Sequence, residues 1–256
     1  MALTEKAKET MRELFKSEPA KHPQDPELYE ILQNEIFDEV FSTGVIDNKK
    51  REMITVVVLT CLQTLPQLKA HTAAALNAGN TALELREAIY QCAPYIGYPR
   101  TLNAIATANE VFEQYGYTLP LESATTVAYE NREEAGAAIQ VPRYGNEVKE
   151  VFAKLPGVFG EFVPHLLTAV GFGDYGTRAV LSDADKELIS LIVLVTIGAA
   201  TQLKPHIAGA MKAGNTLEEI TAAIVQALPY VGFPYCLSAL MMVANYDVNA
   251  KTEAYR

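Results

Sequence analysis

The sequence predicts an all-α protein made of two tandem copies of one helical unit of about five or six helices each, and three observations predict it. Sliding the 256-residue chain on itself by 135 residues superimposes 45–104 on 180–239 without a gap, and 25 of those 60 positions are identical. Self-similarity on this scale means two homologous units. Apolar residues recur at helical spacing, and no segment of alternating polarity bounded by turn residues suggests a sheet. Helix start and stop signals fall at the same places in both copies.

Taken in order, 10–15 resembles 147–152, an opening helix displaced by two residues from the main register. The next helices run from 48 to about 63 and from 183 to about 198. They are long and apolar, with a charged first turn expected to suit the positive end of the helix dipole. Thr64, Pro66 and Gln67 read as a capping box that starts a second helix carrying His71. Gly79 and Gly214 stop that helix, and Thr81 with Glu84, and Thr216 with Glu219, are further capping boxes that restart the chain. Pro94 and Pro229 disturb the end of the third helix, and the turns Gly97–Pro99 and Gly232–Pro234 launch a fourth. The expected division is unit 1 at 1–118, a polar, alanine-rich connector at 119–142 with room for one short helix, and unit 2 at 143–256.

With 49% hydrophobic and 20% charged residues the chain is globular, long enough for one large domain or two small ones with separate cores. The net charge of -10, uninterrupted by a Lys/Arg cluster, argues against nucleic acid and anionic membrane as partners. The most apolar runs, 54–62 and 188–201, fall short of the roughly 20 residues that cross a hydrocarbon core. The N-terminus mixes charges into its helical pattern and lacks a signal-peptide core, so a cytoplasmic location is expected. Three cysteines, Cys61, Cys92 and Cys236, form no CxxC pair, and a structural disulfide is not expected. Four scattered histidines, His22, His71, His165 and His206, give no metal-ligand spacing, so no metal is expected.

Three polar residues persist in each copy on otherwise apolar or alanine-rich helices: Glu52, Gln67 and His71, matched by Glu187, Gln202 and His206. The Gln and His are four apart, hence on one helix face near its N-terminus, where backbone N–H groups and the helix dipole favour an anion or developing negative charge. The Glu on the preceding helix can share a proton with the His directly or through water. A single buried His is usually a satisfied core residue. A costly trio kept twice while its neighbours drift points to a buried network, either structural glue or a site. Lys69 and Lys204 fit a solvated surface. The repeated AGNT and PYxGxP segments are explained as turns, and the three cysteines, not shared between copies, as small core hydrophobes.

These residues resemble the carboxymuconolactone decarboxylase and alkylhydroperoxidase D-like superfamily of all-helical units. The resemblance is carried by the Glu-x(18)-His spacing, the AGNT turn and the PYxGxP-x(2)-L-x-A ending, at 52–104 and again at 187–239. It implies a homo-oligomer, a trimer of two-unit chains imitating a hexamer. The superfamily's peroxidase branch carries a CxxC motif before the His. Here those two positions are Thr64 and Gln67 in the first copy, and Ala199 and Gln202 in the second, so no thiol stands at either. The nearest thiol, Cys61, is one turn earlier and has no resolving partner in this reading. The resemblance therefore implies the decarboxylase branch, which uses no cofactor and loses CO2 from an unsaturated lactone acid. A His/Glu pair beside a helix N-terminus could serve such a reaction as general acid and electrostatic stabiliser.

The segment 171–188 resembles the decarboxylases' aromatic-Gly stretch, with Arg178 placed to pair with a substrate carboxylate. The first copy has Thr43 at that place, and Asn103 is replaced by Ser238 in the second copy. The expected function is a cofactor-free lyase or isomerase, of carboxy-lyase type, acting on a small anionic lactone or keto acid. Glu52, His71, Glu187 and His206 would carry the acid-base chemistry, with Gln67, Gln202 and Arg178 binding substrate. The alternatives are a thiol-dependent peroxidase, disfavoured by the absent CxxC, and a non-catalytic oligomeric binding protein. Which copy is active is left open.

Overall fold

A computed structural model describes residues 2–19 and 21–247. Among these residues there are thirteen α-helices and no strand. The first half holds α1 (Glu5–Phe15), α2 (Pro26–Asn34), α3 (Asn48–Leu62), α4 (Leu65–Asn77), α5 (Ala82–Ile96) and α6 (Tyr98–Gln114). The second holds α7 (Arg132–Tyr144), α8 (Glu147–Phe152), α9 (Phe159–Leu166), α10 (Asp183–Thr196), α11 (Ala200–Lys212), α12 (Leu217–Val231) and α13 (Phe233–Ala244). Two π-helical stretches, Glu35–Val40 and Leu167–Gly176, continue α2 and α9.

The repeat is structural. The capping boxes form at both Thr81 and Thr216, where each hydroxyl accepts from the amide three residues on and each Glu reaches back. The asparagine of each AGNT turn ties that turn to the helix two elements earlier. Asn80 donates to the Lys49 carbonyl at 2.9 Å, and Asn215 donates to that of Ala184 at 2.9 Å. The turn is therefore a fastening as well as a stop.

Two local expectations are corrected. Thr64 is the N-cap of α4 but makes no capping bond, and its hydroxyl is buried without a hydrogen-bond partner. Its ψ of 71° departs from the extended value near 156° at Thr81, so the side chain is not presented to the first-turn amides. The charged first turn suits the dipole only in α10, which opens with Asp183 and Asp185. The first turn of α3 is basic, and other elements neutralise it: Lys49 pairs with Glu84 at 2.8 Å and Lys50 with Asp185 at 3.1 Å.

The units do not keep wholly separate cores. One buried cluster contains Met53, Ile54, Val57, Val58, Ala88 and Cys92 from the first unit together with the apolar faces of α10 and α12 from the second. The pairings are reciprocal: α3 packs on α12, α5 on α10, and α3 on α10. A helix that is apolar nearly all round needs cover on every side, and each unit supplies the missing cover for the other's central helix. A smaller cluster under α4 and α6 is built from buried residues of the first unit, with Tyr230 of the second packed against it.

The segment between the units is more than a tether. α7 lies so close to the π-helical stretch 167–176 that a Cβ added at Gly136 would stand 2.2 Å from the Thr168 carbonyl oxygen, and one at Gly173 would stand 2.2 Å from that of Arg132. These glycines set the approach that delivers the end of α7 to α10 and α11.

Candidate active site

In the second unit α10 supplies Glu187, α11 supplies His206, and the last turn of α7 supplies Arg143 and Tyr144. The Tyr144 hydroxyl donates to Glu187 Oε2 and lies 2.9 Å from His206 Nδ1, whereas Nδ1 and Glu187 Oε2 are 3.7 Å apart. The tyrosine therefore stands between the two residues that the sequence pairs. Arg143 donates to Glu187 Oε1 at 2.9 Å and to Asp183 at 3.0 Å.

Burial raises the Glu187 carboxyl, but His206, Tyr144 and Arg143 outweigh it and hold it below the usual carboxylate range. Burial, and then the Glu187 charge, push the Tyr144 phenol well above its ordinary value, so it stays protonated. The room for the Tyr144 ring comes from Gly209: a Cβ there would lie 2.4 Å from its hydroxyl. The first unit has Ala74 at that position.

A cavity of about 320 Å³ opens against this network. Its polar wall includes Glu187, His206, Gln202, Arg143 and Lys186, and its apolar wall includes Phe152 and Phe172. Gln91, Pro94 and Tyr95 of the first unit close it, and the Tyr95 ring meets His206 edge to face at 5.9 Å. The second unit's site is thus completed by the first.

The first unit's site is a contracted version. Glu52 is fully buried and its Oε2 meets His71 Nδ1 at 2.8 Å, with nothing between them. Phe15 and Tyr230 pack edge to face on the His71 ring at 5.5 and 5.6 Å. Tyr230, the counterpart of Tyr95, comes from the other unit. Its hydroxyl is buried without a hydrogen-bond partner of ordinary geometry, and burial, then the charge of Glu52, raise its phenol well above the ordinary value.

Beside it, Gln226 of the second unit accepts from Arg51 at 3.0 Å and donates to Thr55 at 3.1 Å. Their counterparts are drawn elsewhere: Gln91 donates to the Tyr175 carbonyl at 2.8 Å, and Lys186 to the Gly176 carbonyl at 2.7 Å. Carbonyls at the end of the π-helical stretch thus each take one of two side chains whose counterparts, Arg51 and Gln226, bond to each other.

The remaining sequence candidates fall as follows. Gln202 lines the cavity, while Gln67 is exposed on α4. Arg178 is not among the residues lining the cavity. Glu87 already takes its guanidinium in two hydrogen bonds, to Nε and, at 3.0 Å, to Nη2. Asn103 bonds to Gln63 at 3.0 Å. Cys61 does have a thiol neighbour, since Cys92 of α5 faces it in the core; burial, then Cys61 itself, push the Cys92 thiol well up. Both are free, and neither lines the cavity.

Sequence reasoning missed Tyr144, Arg143, Tyr95 and Tyr230. The tyrosines of the repeated PYxGxP segments, and the repeated Gln91 and Gln226 four residues before them, carried a signal. Their identity in both copies matched that of the trio. Arg143 and Tyr144 lie outside the gapless repeat and carried none.

Comparison with known proteins agrees with the repeat. The model of the family described as "Carboxymuconolactone decarboxylase family" matches residues 26–110 and again 163–244. A 4-carboxymuconolactone decarboxylase from Acinetobacter baylyi is 36% identical over 78 residues, which are 30% of this chain and 58% of that protein. The nitrosuccinic acid decarboxylase npaB of Metarhizium robertsii is 28% identical over 95 residues, 36% of this chain and 66% of its own length. The aligned stretches thus span about three fifths of these relatives.

Proposed function

Because the chain belongs to the carboxymuconolactone decarboxylase family, we propose that it is a cofactor-free carboxy-lyase whose reaction takes place in the second unit's cavity. The observation that carries this reading is the cavity of about 320 Å³ against His206 and Glu187. Both relatives are named as decarboxylases of small acids, one of a carboxylated lactone and one of nitrosuccinic acid. Arg143 and Lys186 against the single carboxylate of Glu187 leave the lining with one positive charge in excess, which favours an anionic guest, and Phe152 and Phe172 give its uncharged part an apolar wall.

The C–CO2 bond breaks, CO2 leaves, and the electron pair passes into the acceptor group conjugated with that carbon. The amide of Gln202 and the nearby cations stabilise the charge that develops. His206 then gives a proton to carbon and regains one from solvent, so the balance is one carboxylate and one proton in, CO2 and the protonated product out. Cys61 and Cys92 stay outside this scheme, which gives the thiol-dependent alternative no support.

The reading is tested by following CO2 release from 4-carboxymuconolactone and from nitrosuccinic acid. Turnover of either is expected, and His206→Gln is expected to lower kcat by about 100-fold or more, the usual contribution of a general acid. No CO2 from either acid, or full activity in His206→Gln, would defeat it. The same reading has the chain working in the cytoplasm as a homotrimer. What supports self-association is the exposed apolar stripe that the repeat places at equivalent positions, Tyr98 and Leu102 on α6, Phe233 and Leu237 on α13. Light scattering on the purified protein gives the subunit number.

A further inference from the structure

The two sites share Glu, His and the tyrosine lent by the opposite unit, and they differ in what stands between Glu and His. In the first unit Glu52 Oε2 meets His71 Nδ1 directly at 2.8 Å. In the second, the Tyr144 hydroxyl touches both Glu187 Oε2 and His206 Nδ1, and these two atoms are 3.7 Å apart. The insertion is supported on every side. Tyr144 is buried, its ring leans on Phe172 with centroids 5.6 Å apart, and Gly209 leaves the space its hydroxyl fills. Arg143, the preceding residue, holds the other carboxylate oxygen at 2.9 Å.

We infer that Tyr144 is a positioning residue that fixes His206 with its proton on Nδ1 and presents Nε2 as the atom exchanging a proton with a molecule in the cavity.

The inference follows from counting protons. A phenol has one proton to donate and lone pairs to accept with. An ionised Glu187, flanked by Arg143, can only accept, so the hydroxyl proton points at Oε2. The oxygen is then an acceptor towards His206, and Nδ1 must be the donor. Neutral His206 therefore carries its free lone pair on Nε2, and in its protonated form Nε2–H is the acid. The opposite chain, a protonated Glu187 donating to Tyr144 and Tyr144 donating to Nδ1, would place the proton of neutral His206 on Nε2. It would also put a neutral carboxyl against the Arg143 guanidinium and leave that largely covered cation only the exposed Asp183 as counter-charge. Fixing the tautomer through the far ring nitrogen is how a carboxylate commonly directs a histidine. Here a phenol is interposed, which keeps Glu187 beyond hydrogen-bond distance of the ring.

The proposal deepens the decarboxylase reading by assigning the atom that protonates carbon, but its main test needs no substrate. Nitrogen-15 spectra of histidine-labelled full-length protein at a pH where His206 is neutral, assigned with His206→Gln, are expected to show the Nδ1–H tautomer. The Nε2–H tautomer, or a mixture, would overturn the proposal. In Tyr144→Phe, with folding checked by circular dichroism, kcat for whichever acid is turned over is expected to fall at least 10-fold while KM changes less than about two-fold. Gly209→Ala, whose methyl displaces the hydroxyl without removing it, is expected to give the same pattern. Full kcat in folded Tyr144→Phe would also overturn it. An Nδ1–H tautomer in a protein that turns over neither acid would leave the positioning role standing and defeat the decarboxylase reading alone.

Discussion

His71 and His206 occupy equivalent places on equivalent helices, yet they keep different company. Glu52 is fully buried, His71 is its direct partner, and the second carboxylate oxygen has no hydrogen-bond partner among the described residues. Arg51, also fully buried, is held by Gln226, by Thr43 at 2.7 Å and by the Phe41 ring at 5.1 Å. The first pair is thereby read as structural support. His71→Ala is expected to cost about 3 kcal/mol, the upper scale for leaving a buried polar group such as Glu52 without its hydrogen-bond partner, with turnover in the folded protein nearly unchanged. Denaturant unfolding and a CO2 assay on the same preparation check both halves of this expectation. Strong loss of turnover with unchanged stability would reverse the assignment of roles.

At the scale of the element, the helix ends show how local signals and local geometry combine. Thr81 and Thr216 sit in extended backbone and close their boxes, with hydroxyl to amide distances of 3.1 Å in both. Thr64 has the same residue type and an apt Gln three residues on, and fails because its backbone is bent away from the capping conformation. Thr81→Ala and Thr216→Ala are therefore each expected to lower stability by about 1 kcal/mol, and Thr64→Ala by much less. Urea unfolding midpoints of the three variants give the comparison. α7 makes the complementary point. Its sequence is polar enough to pass for a connector, yet glycines at 136 and 173 press it against the π-helical stretch and its last turn completes the site.

For the whole molecule the consequence of duplication is exchange. α5 and α12 carry Tyr95 and Tyr230 across to the other unit's histidine, and the central core draws side chains from both halves. The two sites are coupled through shared helices, although each Glu/His pair belongs to one unit. Tyr95→Ala, a change in the first unit, is expected to raise KM or lower kcat at the His206 cavity by about 10-fold or more. Tyr230→Ala is expected to lower the melting temperature while leaving kcat/KM within about two-fold. A Tyr95→Ala variant with wild-type kinetics would show that the second unit's site stands without the first.

What the sequence determined by itself was whatever repetition and periodicity can express. The gapless match of 45–104 with 180–239 gave the tandem units, the apolar helices gave the all-α class, and the identical spacing of Glu52, Gln67 and His71 with Glu187, Gln202 and His206 marked the two buried polar networks. These are local or self-referential signals, written within a few turns of helix. The tertiary structure alone decided that the two pairs are unlike. Tyr144 comes between Glu187 and His206 from a helix outside the repeat, and Gln91 and Lys186 bond to carbonyls of a π-helical stretch where their counterparts bond to each other. Arg178 is taken by Glu87 from 91 residues away. Each of these depends on which distant surfaces meet, and close packing fixes that only once both units are folded against each other.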